Sequence, residues 1–141
     1  MVIGGLSAAF HGSARVTYDL DICYSRASGN VRRLAAGLAP FHPGLRDSPV
    51  GLPFVWDEVT RRNGTIFTLQ TDIGEIDLLA EVAGLATFED VKKHSIVVEA
   101  FDRRIATLDL PGLIQAKRAA GREKDFAALV GLESLLEAED E

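Results

Sequence analysis

The stretch "IGGLSAAFHGSARVTYDLDICY", residues 3–24, decides how the rest of the chain is read. It sets Asp19 and Asp21 into an otherwise apolar, β-branched and aromatic run that reads as a strand over residues 15–24. Side chains alternate across a strand. Tyr18, Leu20, Ile22 and Tyr24 therefore share one face, and Thr17, Asp19, Asp21 and Cys23 the other. Like charges on one face repel, and a buried carboxylate without a partner is expensive. The pair calls for something positive. Just ahead of it, Gly4-Gly5 leads into a short helix predicted over residues 6–11 and closed by Gly12.

A third acid lies downstream. "TIFTLQT" and "EIDLLAE" flank "DIG" and read as a β-hairpin in which Asp77 alternates with Ile76 and Leu78, and Glu75 shares its face. If that strand lies beside residues 17–24, the three aspartates converge. Residues two apart on a strand stand roughly 6.5 Å apart and point the same way, so Asp19 and Asp21 reach a common divalent cation. Oxygen ligands suit Mg2+ or Mn2+, and such ions usually complete their shell with substrate phosphates. Phosphates need a cradle of their own. Gly4-Gly5 at a helix start offers backbone N–H groups with no Cβ in the way, and Ser7 adds a hydroxyl.

The remaining elements are simpler to read. Residues 29–39 carry Val31, Leu34, Ala35 and Leu38 at helical spacing, stopped by Pro40. Residues 41–64 are rich in Pro and Gly and read as a long loop with one helical turn. "TFEDVKKH" reads as a short helix with Thr87 as N-cap and Asp90 three residues on. "SIVVEAF" and "RRIATLDL" form a second hairpin turning at Asp102. Asp109 then caps a helix ended by Gly121, and "EKDFAALVGLESLLEAE" supplies a last helix with Leu129, Leu132 and Leu136 on one stripe. The expected fold is a single α/β (α+β) domain over residues 1–141, a small mixed or antiparallel sheet flanked by helices, with residues 109–141 as a C-terminal helical part.

Composition narrows the chemistry. The chain has 141 residues, 47% hydrophobic and 26% charged, as befits one globular domain. No apolar run approaches the roughly 20 residues that span a bilayer, and no basic region followed by an apolar stretch opens the chain, so a cytoplasmic location is expected. The single cysteine, Cys23, rules out an internal disulfide and a multi-cysteine zinc site. The net charge of −6 argues against gripping nucleic acid by bulk electrostatics. It leaves local basic clusters, such as Lys117, Arg118, Arg122 and Lys124, open to other uses.

Gly-Gly, helix, Asp-x-Asp and a later strand acid, here "IGGLS", "DLDI" and "IDLL", resemble the nucleotidyltransferase superfamily of DNA polymerase beta-like fold. "GGLSAAFHGSARVTYDLDI", "FTLQTDIGEIDLL" and "LIQAKRAAGREKDFAAL" are similar to bacterial minimal nucleotidyltransferases of the AbiEii-like and MenT-like toxin group. The resemblance implies transfer of a nucleoside monophosphate from a nucleoside triphosphate, ATP included, to an acceptor hydroxyl on tRNA or protein, and an antitoxin protein as partner. Asp19, Asp21 and Asp77 would hold the metal ions, with Asp77 helping to activate the acceptor. Gly4, Gly5 and Ser7 would bind the triphosphate, and Lys117 and Arg15 would neutralise phosphate charge. Lys124 and Asp125 lie in the resembling "GREKD" segment without an assigned step.

Other readings stand beside these. The aspartates also suit an edge strand guarded against aggregation. Lys117 and Arg15 also suit a solvated surface, His11 a structural place near a helix end, Cys23 a small filler and Trp56 loop packing. Only Met1 to Ile3 precede Gly4, whereas a pairing strand normally takes about five residues. An N-terminal helix and part of the first strand are thus expected to be missing, or their pairing supplied by a partner or a second copy in a homo-oligomer. That shortness favours a second function, a catalytically inactive nucleotidyltransferase-like binding or assembly module. A third reading is transfer to a small molecule of the aminoglycoside type.

Overall fold

A computed structural model of the chain describes residues 1–46 and 64–140. The helical turn expected within residues 41–64, and Trp56 with it, lie outside the described residues. The fold is mixed α/β, with five α-helices among the described residues. Its centre is a seven-stranded sheet in the order β3-β4-β5-β2-β1-β9-β8. Those strands are β1 (Val2–Ile3), β2 (Asp19–Cys23), β3 (Gly44–Leu45), β4 (Ile66–Thr71), β5 (Gly74–Leu79), β8 (Ser95–Ala100) and β9 (Arg103–Leu108). A separate ladder joins β6 (Glu81–Val82) to β7 (Ala86–Thr87). The helices are α1 (Gly4–Phe10), α2 (Ser28–Leu38), α3 (Phe88–Val91), α4 (Leu110–Ala120) and α5 (Glu123–Glu139). No helix among the described residues is long and apolar enough to cross a membrane.

Both expected hairpins form. β4 and β5 pair antiparallel around Asp72 and Ile73, and β8 pairs with β9 around Phe101 and Asp102. The second turn holds both central residues at positive φ, 54° and 60°, the twist that suits a two-residue hairpin loop. Helix signals also match: Asp109 accepts a hydrogen bond from the Gly112 N–H at 2.7 Å, and Gly121 closes α4 at φ 64°. The Thr87 N–H donates back to Asp90, as a capping box requires.

Three elements differ from expectation. The strand predicted over residues 15–24 is ordered as β only from Asp19, and Val16 and Tyr18 stand exposed. Among the described residues its first half has nothing to pair with: β1 reaches only to Ile3, opposite Asp21, and β5 turns away at Gly74, one residue before the partner of Asp19. Second, Gly44 and Leu45, expected in a loop, form an edge strand against Gln70 and Leu69. Third, Val2–Ile3 does pair despite its shortness, antiparallel to β2 and parallel to β9, so it sits inside the sheet.

The two faces of the sheet pack differently. Tyr24, Phe67, Leu69, Ile76 and Leu78 form one apolar cluster with Leu38 of α2. Ile3, Cys23 and Leu108 belong to the other, with Leu110, Leu113 and Ile114 of α4 and Leu129 and Leu132 of α5. Alternation along β2 and β5 puts Asp19, Asp21 and Asp77 on the second face, where that cluster ends.

Candidate functional site

β2 and β5 run parallel and in register, with Asp19 opposite Glu75 and Asp21 opposite Asp77. Because alternate residues share a face, four carboxylates form two adjacent rungs. One carboxylate oxygen from each of Asp19, Asp21 and Asp77 lies within 4.8 Å of the others, close enough to hold a metal ion. Crowding shows in their acidity. Burial, then the charge and hydrogen bond of Asp77 and the charge of Asp19, push Asp21 up to about 6, against a smaller pull from Lys117. Glu75 is also raised, first by the hydrogen bond it shares with Asp19, while Arg46 opposes the rise. The array carries more negative charge than its neighbours neutralise.

Gly4 sits against this array. Its φ is +66°, and a Cβ there would collide with the Asp21 carboxylate, so both backbone and space demand glycine. A Cβ on Gly5 would fall 2.6 Å from the Thr17 hydroxyl. The two glycines thus let the start of α1 lie directly on the strand that carries the acids. Ser7 does not join them. It is fully buried and hydrogen-bonded at 2.5 Å to the hydroxyl of Thr107, whose O–H donates to the Val2 carbonyl at 2.8 Å. That hydroxyl ties α1 to β9 and β1. Nearby, His11 Nε2–H donates to the Leu108 carbonyl at 2.7 Å, a structural role. Cys23 is buried, and burial pushes its thiol up to about 11, which suits a filler and not a nucleophile.

Cations approach from the helical layer. A cleft of about 360 Å3 is lined by Asp19, Asp21 and Asp77 together with Arg15, Lys117 and Lys124. Gly5 and the exposed ring of Tyr18 also border it. A second cleft of about 330 Å3, which includes Gly4, shares Asp21, Asp77 and Lys117 with the first. Lys117 is not left to solvent: its Nζ donates to Asp125 Oδ1 at 3.2 Å. Arg122 Nε donates to the other oxygen, Oδ2, at 2.6 Å. Burial of the Asp125 side chain disfavours its charge, but these hydrogen bonds and the two cations prevail and hold the carboxyl at about 2. Asp125, which had no step in the sequence reading, is the anchor of Lys117.

Arg46 was missed altogether. It follows β3, and its Nη2 donates to Asp77 Oδ1 at 2.7 Å and to the Leu69 carbonyl at 3.0 Å. Its Nε lies 3.7 Å from Glu75 Oε1 and, among the described residues, is buried without a hydrogen-bond partner. Nothing in "GLRDSPVG" marks this arginine, because its partner lies 31 residues away and is brought near only by the β3–β4–β5 pairing. No protein-family model matches the chain, and no curated protein matches it.

Proposed function

We propose that the chain is a metal-dependent nucleotidyltransferase of the DNA polymerase beta-like type. It moves a nucleoside monophosphate from a nucleoside triphosphate to an acceptor hydroxyl, with release of pyrophosphate. The observation that carries this reading is the in-register pairing of β2 with β5, which gathers Asp19, Asp21 and Asp77 in a cleft also lined by Arg15, Lys117 and Lys124. Carboxylates alone would suit any divalent cation. Carboxylates facing cations suit a cation bridged to phosphates.

The donor set fits Mg2+ or Mn2+: three hard oxygens within 4.8 Å, one of them on a carboxyl raised to about 6 by burial and then by the neighbouring carboxylates. Bound there, such an ion supplies the charge that activates an attacking oxygen and steadies the leaving group of an in-line displacement. The chain's own residues do the rest. Asp19 and Asp21 bind the cation, and Asp77, which shares a rung with Asp21, completes the set and helps to activate the acceptor hydroxyl. Lys117, pinned by Asp125, neutralises phosphate charge, and Arg15 and Lys124 serve the outer phosphates at the rim. Gly4 and Gly5 let the start of α1 approach them.

The resemblance of the sequence to AbiEii-like and MenT-like toxins supports tRNA or protein as the acceptor and an antitoxin as the partner. Incubation with Mg2+, labelled nucleoside triphosphates and total RNA or cell extract tests the reading. Label transfer by the wild type that disappears in Asp19→Ala and Asp21→Ala is the expected result. No transfer, or transfer equal in both variants, overturns it.

A further inference from the structure

The carboxylate array contains an internal cation that a metal site does not need. Arg46 reaches across β4 from the sheet edge: its backbone N–H donates to the Thr68 carbonyl at 3.0 Å, and Thr68 is the register partner of Asp77. The guanidinium is thereby held over the β5 side of both rungs, bonded to Asp77 Oδ1 at 2.7 Å and with its Nε 3.7 Å from Glu75. Its side chain is only 21% exposed, so water screens it poorly.

Two consequences follow from charge and valence. An oxygen that accepts a short bond from an arginine is a weaker donor to a metal, which leaves Asp77 its other oxygen, Oδ2, to offer. A fixed positive charge a few ångströms from a divalent cation also repels it. At an effective dielectric of about 20 that repulsion is on the scale of the attraction the same ion feels from one carboxylate at similar range. We infer that Arg46 is a positioning residue that commits Asp77 to a single free oxygen and holds the array's cation affinity down. The inference rests on the metal reading above. It adds that the sheet carries its own brake on metal binding.

Titration of the full-length protein with Mn2+ alone, followed by calorimetry, tests this without reference to activity. Arg46→Met keeps the aliphatic stem and removes the charge, Arg46→Gln removes the charge and keeps a polar group, and Arg46→Lys keeps the charge without the fork. The neutral variants are expected to bind Mn2+ about tenfold more tightly than the wild type, and Arg46→Lys within about threefold of it. Equal or weaker binding in a neutral variant that still unfolds cooperatively overturns the inference. So does a loss of about tenfold or more in Arg46→Lys, since a purely architectural arginine would give that result. Wild-type binding that Asp21→Asn leaves intact, or no binding at all, overturns the metal reading and this inference with it. The Asp21→Asn control thus separates the two failures.

Discussion

Lys117 Nζ lies 3.2 Å from Asp125 Oδ1, and the side chain of Asp125 is only 1% exposed. An acid on α5 thus decides where a lysine on α4 places its charge. Asp125→Ala leaves that lysine and Arg122 without their buried counter-ion, and the expected loss is roughly 3 kcal/mol of unfolding free energy in urea. The sign with pH is fixed. Asp125 is held at about 2 in the fold, so its contribution is complete above the ordinary carboxylate value near 3.8 and is lost as pH falls toward 2. Urea midpoints of the wild type at pH 6 and pH 3 should differ by more than those of Asp125→Asn.

Asp21 behaves in the opposite sense. Its folded value of about 6 exceeds the ordinary 3.8, so the folded state keeps a proton that the unfolded chain has released. Stability without metal therefore falls as pH rises between these values and levels off above them. Asp21→Asn removes that penalty and should stabilise the protein in EDTA at pH 7.5 by roughly 1–2 kcal/mol, allowing for the group's contact with solvent. The same variant should lose all stabilisation by Mn2+. Thermal unfolding with and without the ion checks both halves.

Cation binding must displace that proton. Mn2+ affinity in the wild type is expected to be flat above about pH 6.5 and to weaken below pH 6, approaching tenfold per pH unit. A calorimetric series from pH 5 to pH 7.5 reads this slope. A profile flat to pH 5 would mean that Asp21 is not a ligand.

The two glycines should respond differently to alanine. Gly4→Ala forces a Cβ into the Asp21 carboxylate at a φ of +66°, and both strain and collision fall on a metal ligand. Mn2+ binding should drop by about tenfold or more, with a stability loss of roughly 1–3 kcal/mol. Gly5→Ala meets Thr17, its hydroxyl at 2.6 Å and its Cβ at 2.8 Å, so the chain just ahead of β2 must shift. Its effect on Mn2+ affinity should stay within about threefold, because the collision falls on Thr17 and not on a metal ligand.

The acid array was legible in the sequence because period-two alternation fixes which side chains share a face, and three acids in apolar strands break that pattern conspicuously. Helix ends were equally plain, since Asp109, Thr87 and Gly121 act within three or four residues of their own position. What escaped was non-local. Ser7 reads as a phosphate ligand beside Gly4-Gly5, yet one helical turn carries it under α1 to Thr107, 100 residues away. Arg46 and Asp125 escaped for the same reason, each being defined by a partner on another element. The β-like residues 15–18 misled because propensity cannot report whether a neighbouring strand extends far enough to pair with them.

The two-residue strand β1 has a kinetic meaning. Val2 and Ile3 join β2 to β9, whose Thr107 pairs with Val2 across 105 residues of chain. Closing so long a loop costs entropy that must be met before the contact is rewarded. Until it closes, α4, which follows β9 directly, cannot bring Lys117 over the aspartates. Lys117 thus meets the acids only through contacts that span most of the chain, whereas Arg46 meets Asp77 through the more local β3–β4–β5 pairing.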